Sequence, residues 1–290
     1  MAPRPTPILP YHQEGYPAID PSRPELSSQG KSVLITGAGS GIGAETAIAF
    51  AQSGASHLGL VGRRVANLET TKATISSRFP NVAVHVFAGD VTDLKSITAA
   101  VSGFASVTDS GKIDVVVANA GYVNGVSKLD DADPEDWWRV FDVNVRGNFN
   151  LLRAFGPVAA ANAVVLHVSS SIAHFTYIPG YSAYSASKMA GIRMFEHFAI
   201  EHPGIRVIHY HPGLYRTEIG STTEESGLNL PFDHLSLASG FAVWAASPEA
   251  AFLNNRFVWA AWDVDTLKSK AAEIAANPTM FTFVLDGFPY

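Results

Sequence analysis

Tyr184-Ser185-Ala186-Ser187-Lys188 sets a phenol and an ammonium four residues apart. On a helix those positions share one face, so the Lys188 cation stands near the Tyr184 phenol. A free tyrosine titrates near about 10, and a nearby cation favours the phenolate. Tyr184 is thereby a candidate proton donor or acceptor. Ser171 stands thirteen residues upstream, just past an expected strand end. Sites on parallel sheets form at such ends.

A second constellation lies near the start. Thr36-Gly37-Ala38-Gly39-Ser40-Gly41-Ile42-Gly43 follows an apolar run and opens a helical segment. Glycines there allow a tight turn and close backbone approach, and the first N–H groups of the helix suit a pyrophosphate. About twenty residues on, an NAD site would place a carboxylate to accept the ribose hydroxyl. This chain has Gly62-Arg63-Arg64 instead. A guanidinium suits a 2′-phosphate, so NADP(H) is expected over NAD(H).

The elements that must position these groups read as an alternation. Short, nearly all-apolar runs cover Ser32–Thr36, His57–Val61, Val82–Ala88, Asp114–Ala118, Ala163–Val168, Ile205–Tyr210 and Arg256–Ala260. Helical segments include Ile42–Ser53, Leu94–Ala105, Pro134–Phe155 and Ser185–Glu201. Strands buried on both faces of a parallel sheet have this character, and the alternation predicts a single doubly wound α/β domain over residues 31–290. Residues 1–30 read as a Pro-rich surface arm, since Pro at such density propagates neither helix nor central strand. Thr217–Leu235, rich in Ser, Thr, Glu and Gly, reads as a substrate loop that closes over the site, with Leu228 and Phe232 as apolar contacts. A tail with a helix over Val264–Ala276 occupies 263–290.

Taken in order, Thr36-Gly37-x-x-x-Gly41-Ile42-Gly43, Asn119-Ala120-Gly121, Ser171, Tyr184-x-x-x-Lys188 and Pro212-Gly213 resemble the classical short-chain dehydrogenase/reductase family. The resemblance covers roughly residues 31 to 260. It implies a Rossmann-type domain with a mostly parallel seven-stranded sheet, and hydride transfer between a nicotinamide and a carbonyl or secondary alcohol. It further implies that Asn144 holds a water in a proton relay to Lys188, that Asp90-Val91 lies beside the adenine, and that Asn119-Ala120-Gly121 flanks the adenosine ribose. Ser40 belongs to the phosphate turn. Pro212-Gly213 and Thr217 are implied at the nicotinamide carboxamide, and Tyr215 departs from the small branched residue usual there. The arm and Trp259-Ala260-Ala261-Trp262-Asp263 are similar to a fungal subset, with secondary metabolism as an expected setting.

His174, Phe175 and Tyr181 are expected to line the substrate pocket. His209 and His211 share a strand face at a spacing that can bind metal, but no third ligand lies nearby in sequence, so no metal site is expected. The apolar residues of Pro134–Phe155 lie all around the helix, which points to burial on two sides and a homodimer or homotetramer.

The rest of the composition excludes other classes. The chain of 290 residues is 47% hydrophobic and 16% charged, ample for a packed core. A net charge of −6 argues against nucleic acid as a partner. Without cysteine there is no disulfide and no thiolate chemistry. No apolar run reaches the roughly 20 residues of a membrane span, and a cytoplasmic enzyme acting on a small molecule is the expectation. Rival readings are a cyclase, dehydratase or epimerase derived from the same family, or a dinucleotide sensor without turnover; the intact Asn144, Ser171, Tyr184 and Lys188 set argues against both.

Overall fold

Each apolar run becomes a strand in the computed structural model, which describes residues 6–175, 178–217 and 231–288. The strands are β1 (Ser32–Thr36), β2 (His57–Gly62), β3 (Ala83–Ala88), β4 (Ile113–Ala118), β5 (Ala159–Val168), β6 (Arg206–His211) and β7 (Arg256–Trp259). They form one parallel sheet in the order β3-β2-β1-β4-β5-β6-β7. Register is fixed at the centre, with Val33 opposite both Leu58 and Val115. Because the order reverses between β1 and β4, the carboxyl ends of these strands open a crevice.

Helices cover both faces, as buried parallel strands require. One face packs α1 (Gly41–Gln52) and α7 (Leu235–Ala246); the other packs α3 (Leu94–Val107), α5 (Gly147–Phe155) and α6 (Ser182–Glu201). Between the strands also run α2 (Val65–Arg78) and α4 (Pro134–Phe141), and α8 (Val264–Ser269) and α9 (Ala271–Ala276) follow β7. Phe50, Phe241 and Trp244 fill one core, and Phe104, Phe155 and Phe195 the other. Among the described residues no helix is long and apolar enough to cross a membrane.

The span Pro134–Phe155 is helical throughout, with a π turn over Asp142–Arg146 between α4 and α5, where the Gly147 N–H bonds to the Asp142 carbonyl five residues back. In the single chain Trp138 is 61% and Phe149 48% exposed. The described part of the N-terminal arm is packed rather than loose. Ile8, Ile19 and Leu26 are fully buried, the Ile19 carbonyl abuts Gly240 of α7, and Tyr11 bridges Trp262. Single apolar anchors between prolines bury well without any periodicity for a pattern to reveal.

Candidate active site

The glycine turn is tied to the switch point by Thr36 at the end of β1. Its buried Oγ1 accepts the Asn119 and Ala120 N–H groups, each at 3.1 Å, and the Asn119 side chain donates to the Thr36 carbonyl at 2.9 Å. Gly37 and Gly41 have φ of 70° and 54°, where a side chain would be strained. At Gly43 a Cβ would lie 2.3 Å from the Gly37 carbonyl, so α1 starts hard against the turn. Ser40 gives α1 no side-chain cap. The helix therefore presents its first N–H groups to the crevice, a cradle that fits a pyrophosphate.

A cleft extends from this turn in both directions. At one end it is lined by Gly62, Arg63, Arg64, Asp90 and Val91. Both arginines are exposed, and no carboxylate ends β2. The Asp90 carboxylate accepts the Thr92 N–H at 2.9 Å and its hydroxyl at 2.8 Å, which fixes the bend after β3. Gly147 lets Val91 close in, for a Cβ there would stand 2.7 Å from the valine methyl. Ala120, Gly121 and Ile42 line the middle.

At the other end stand Tyr184 and Lys188, on one face of α6 as their spacing requires. The Lys188 ammonium is buried, donates to the Val168 carbonyl at 3.0 Å and lies 5.4 Å from the centre of the Tyr184 ring. Burial pulls Lys188 down to about 8. It also pushes the Tyr184 phenol up to about 12, against a hydrogen bond with Ser170 that lowers it. Desolvation of the phenolate is thus the largest influence on Tyr184, and the hydrogen bond that opposes it comes from Ser170. Ser171 is buried in the cleft wall, yet the hydroxyl hydrogen-bonded to Tyr184 belongs to its neighbour Ser170. Ser170 also caps the short turn Ser171–Ala173.

Asn144 sits in the π turn, buried. Its Oδ1 accepts the Tyr122 N–H at 2.8 Å, and its Nδ2 donates to the Tyr122 carbonyl at 2.9 Å and to Ser187 Oγ at 3.0 Å. Its own carbonyl accepts from Asn148 Nδ2 at 2.7 Å. The side chain thus fastens the segment after Gly121 to α6. The Asn144 side-chain carbonyl keeps its second lone pair for a further donor.

Beside Tyr184 the wall is apolar, formed by Val123, Ile172, Ile178 and Tyr181. Of these only Tyr181 was expected from sequence; Val123 stands two residues after Asn119-Ala120-Gly121, a position that could have flagged it. His174 and Phe175 are not among the described residues lining the cleft. His174 instead accepts from Trp259 Nε1 at 3.1 Å, and Phe175 packs edge-on against the same indole. Phe232 lies under the Arg216 guanidinium at 5.1 Å, also outside that lining. Leu228, and residues 218–230 of the expected loop, lie outside the described residues. Pro212, Gly213, Leu214, Tyr215 and Thr217 also line the cleft, and the Thr217 methyl comes within 3.0 Å of a Cβ built on Gly41. His209 pairs with His167 across β5 and β6, Nδ1 to Nδ1 at 3.1 Å, while His211 packs against Trp259.

The chain is similar to known proteins. A family model described as short chain dehydrogenase matches residues 31–227. A short chain dehydrogenase/reductase of Claviceps purpurea is 34% identical over 286 residues, covering 97% of this chain and 94% of its own length. AacuD of Aspergillus aculeatus, named a short chain dehydrogenase/reductase, is 30% identical and covers 96% of each chain. Among solved structures, a short chain dehydrogenase of Salmonella enterica serovar Typhi has the same fold, with a TM-score of 0.75 at 24% identity over 82% of this chain and 98% of that one. An alcohol dehydrogenase of Thermococcus sibiricus, solved with 5-hydroxy-NADP, aligns with a TM-score of 0.66 at 26% identity over 74% of this chain and 89% of its own. The glycine turn, the switch-point crevice and the paired Tyr184 and Lys188 thus have their explanation in descent: this chain belongs to the short-chain dehydrogenase/reductase family of oxidoreductases.

Proposed function

We propose that the chain is an NADP(H)-dependent ketoreductase or secondary alcohol dehydrogenase for a small, apolar substrate. One observation carries the reading: a single cleft joins the uncapped start of α1 and the exposed Arg63 and Arg64 to Tyr184 and Lys188. The turn from Gly37 to Gly43 would hold the pyrophosphate, and Arg63 with Arg64 the 2′-phosphate. Asp90, Val91 and Asn119 to Gly121 would flank the adenosine, and Pro212, Gly213 and Thr217 the nicotinamide. When bound, the dinucleotide supplies or accepts the hydride.

The protein's own groups do the rest. Ser170, with Ser171 beside it, and Tyr184 hydrogen-bond the substrate oxygen, and the Tyr184 hydroxyl gives or takes the proton. Lys188 holds the nicotinamide ribose and places positive charge beside the phenol. Asn144 fixes the backbone of Tyr122 and the helix behind Tyr184. The wall of Val123, Ile172 and Ile178 suits an apolar substrate and keeps water from the reacting atoms. A groove between α5 and α6, lined by Phe149, Leu152, Met194 and Phe198, supports a homodimer or homotetramer.

The test is oxidation of NADPH with a panel of neutral apolar ketones and charged keto acids, followed by absorbance. Consumption with apolar ketones and a preference over NADH are expected. Binding of NADPH without turnover of any ketone would favour a sensor, and conversion of substrate without change in NADPH a non-redox enzyme.

A further inference from the structure

We propose that Asp233 and Tyr215 form a lock that positions the turn Pro212–Thr217 on the nicotinamide side of the cleft, a proposal that rests on the reading of the cleft as a dinucleotide site. Asp233 touches the turn twice. Its N–H donates to the Leu214 carbonyl at 2.7 Å, and its Oδ2 accepts the Leu214 N–H at 2.8 Å. Chain positions 19 residues apart are thereby pinned to one another.

Gly213 makes this closure possible. It has a φ of 114°, and a Cβ on it would stand 2.6 Å from Asp233 Oδ2 and 2.8 Å from Tyr215 Oη. Both side chains therefore close over the glycine from the side where another residue would project. Tyr215 is 3% exposed, its hydroxyl donates to the Pro212 carbonyl at 2.5 Å, and its carbonyl accepts the Thr217 N–H at 2.8 Å. A bulky phenol at this position, in place of a small branched side chain, thus folds back to tie the turn to itself.

The base of the lock is braced in turn. The His234 N–H donates to the Gln13 carbonyl at 2.7 Å, and the Gly15 N–H to Ser236 Oγ at 2.9 Å. Asp233 is thus held from behind by the N-terminal segment and grips Leu214 in front. Leu214 and Tyr215 line the same cleft as Tyr184 and Lys188. In this proposal the grip sets where that wall stands relative to the reacting groups, and an error of about 1 Å in such a placement costs up to about a hundredfold in rate.

Asp233→Ala, Asp233→Asn and Tyr215→Phe test the lock against wild type. The readouts are melting temperature, NADPH dissociation constant, the fluorescence of bound NADPH, kcat, and the isotope effect with 4-deuterated NADPH. Asp233→Ala is expected to lower kcat by about tenfold or more, enlarge the isotope effect and reduce the nicotinamide fluorescence gain. Its dissociation constant stays within about threefold, since the phosphate and adenosine contacts lie elsewhere. Asp233→Asn keeps an oxygen for the Leu214 N–H and restores most of the wild-type values. Unchanged kcat, isotope effect and fluorescence in Asp233→Ala would overturn the lock, as would an Asp233→Asn variant equally impaired. Should Asp233→Ala fail to fold, Tyr215→Phe decides: it is expected to show the same isotope and fluorescence changes, and wild-type values in it overturn the proposal. A wild-type protein that binds neither NADPH nor NADH would instead remove the functional reading beneath it.

Discussion

Asn144 Nδ2 donates to Ser187 Oγ at 3.0 Å, joining the π turn between α4 and α5 to the helix that carries Tyr184 and Lys188. The same side chain holds both backbone groups of Tyr122. Asn144→Ala would leave these buried groups unpaired, at about 1–3 kcal/mol. We expect a fall of about 5 °C in melting temperature together with reduced turnover. A variant with wild-type stability and rate would show that this junction does not organise the site.

The serine order is the next expectation. Ser170, hydrogen-bonded to Tyr184, should matter more than Ser171. Loss of one donor to a developing oxyanion costs about a hundredfold or more in kcat, so Ser170→Ala should fall by about that much and Ser171→Ala by far less. The opposite ranking in steady-state kinetics would return the role to Ser171.

The phenol governs the pH dependence. Tyr184 is held up to about 12 by burial, so at neutral pH it carries its proton. Carbonyl reduction uses that proton, and its kcat/KM should be flat below about pH 8, well under the phenol. Alcohol oxidation needs the phenolate, whose fraction grows about tenfold per pH unit below the pKa, so its kcat/KM should climb with pH. A bend near pH 8 is expected where Lys188, lowered to about 8 by burial, loses its proton. Tyr184→Phe should cut both directions by about a hundredfold or more and abolish the climb, with NADPH binding retained. An oxidation rate that falls from pH 7 to 9 would contradict the assignment.

Cofactor choice rests on the end of β2. Arg63→Ala should weaken NADPH by about ten- to a hundredfold, the equivalent of about 1.5–3 kcal/mol for a charged hydrogen bond, and leave NADH nearly unchanged. Titration of both dinucleotides against both proteins checks this. Equal affinities in wild type would sink the preference for the phosphorylated form.

Residue type and local spacing made much of this legible. Strands β1 to β7 appear as apolar runs because both sheet faces are covered, and the glycine turn and the Tyr184–Lys188 pair are contacts within a few residues of chain. What stayed hidden depends on distant partners. Ile8 and Ile19 are single apolar residues whose burial is decided by α7, far along the chain. The π turn at Asp142–Arg146 looks like ordinary α-helix in any short window, and the partners of its Asn144 side chain, Tyr122 and Ser187, lie on other elements. His174 stands next to the site in sequence but is turned away by Trp259 of β7.

The N-terminal segment also bears on the order in which the chain assembles. His12 meets Asp263 at 3.0 Å across 251 residues of sequence, so this segment docks against a part of the chain synthesised long after it. Until β7 and α8 leave the ribosome, Ile8 and the ring stack of His12 on Tyr16 have no seat. The sheet can form from β1 onward while this segment waits, and its docking is a late step that closes a very long loop. Refolding followed by a probe on Tyr16 should therefore lag behind one on the β1–β4 centre, and slowing that step would lengthen the time during which Ala261, Trp262 and Asp263, just past β7, stand without their partners Tyr11 and His12.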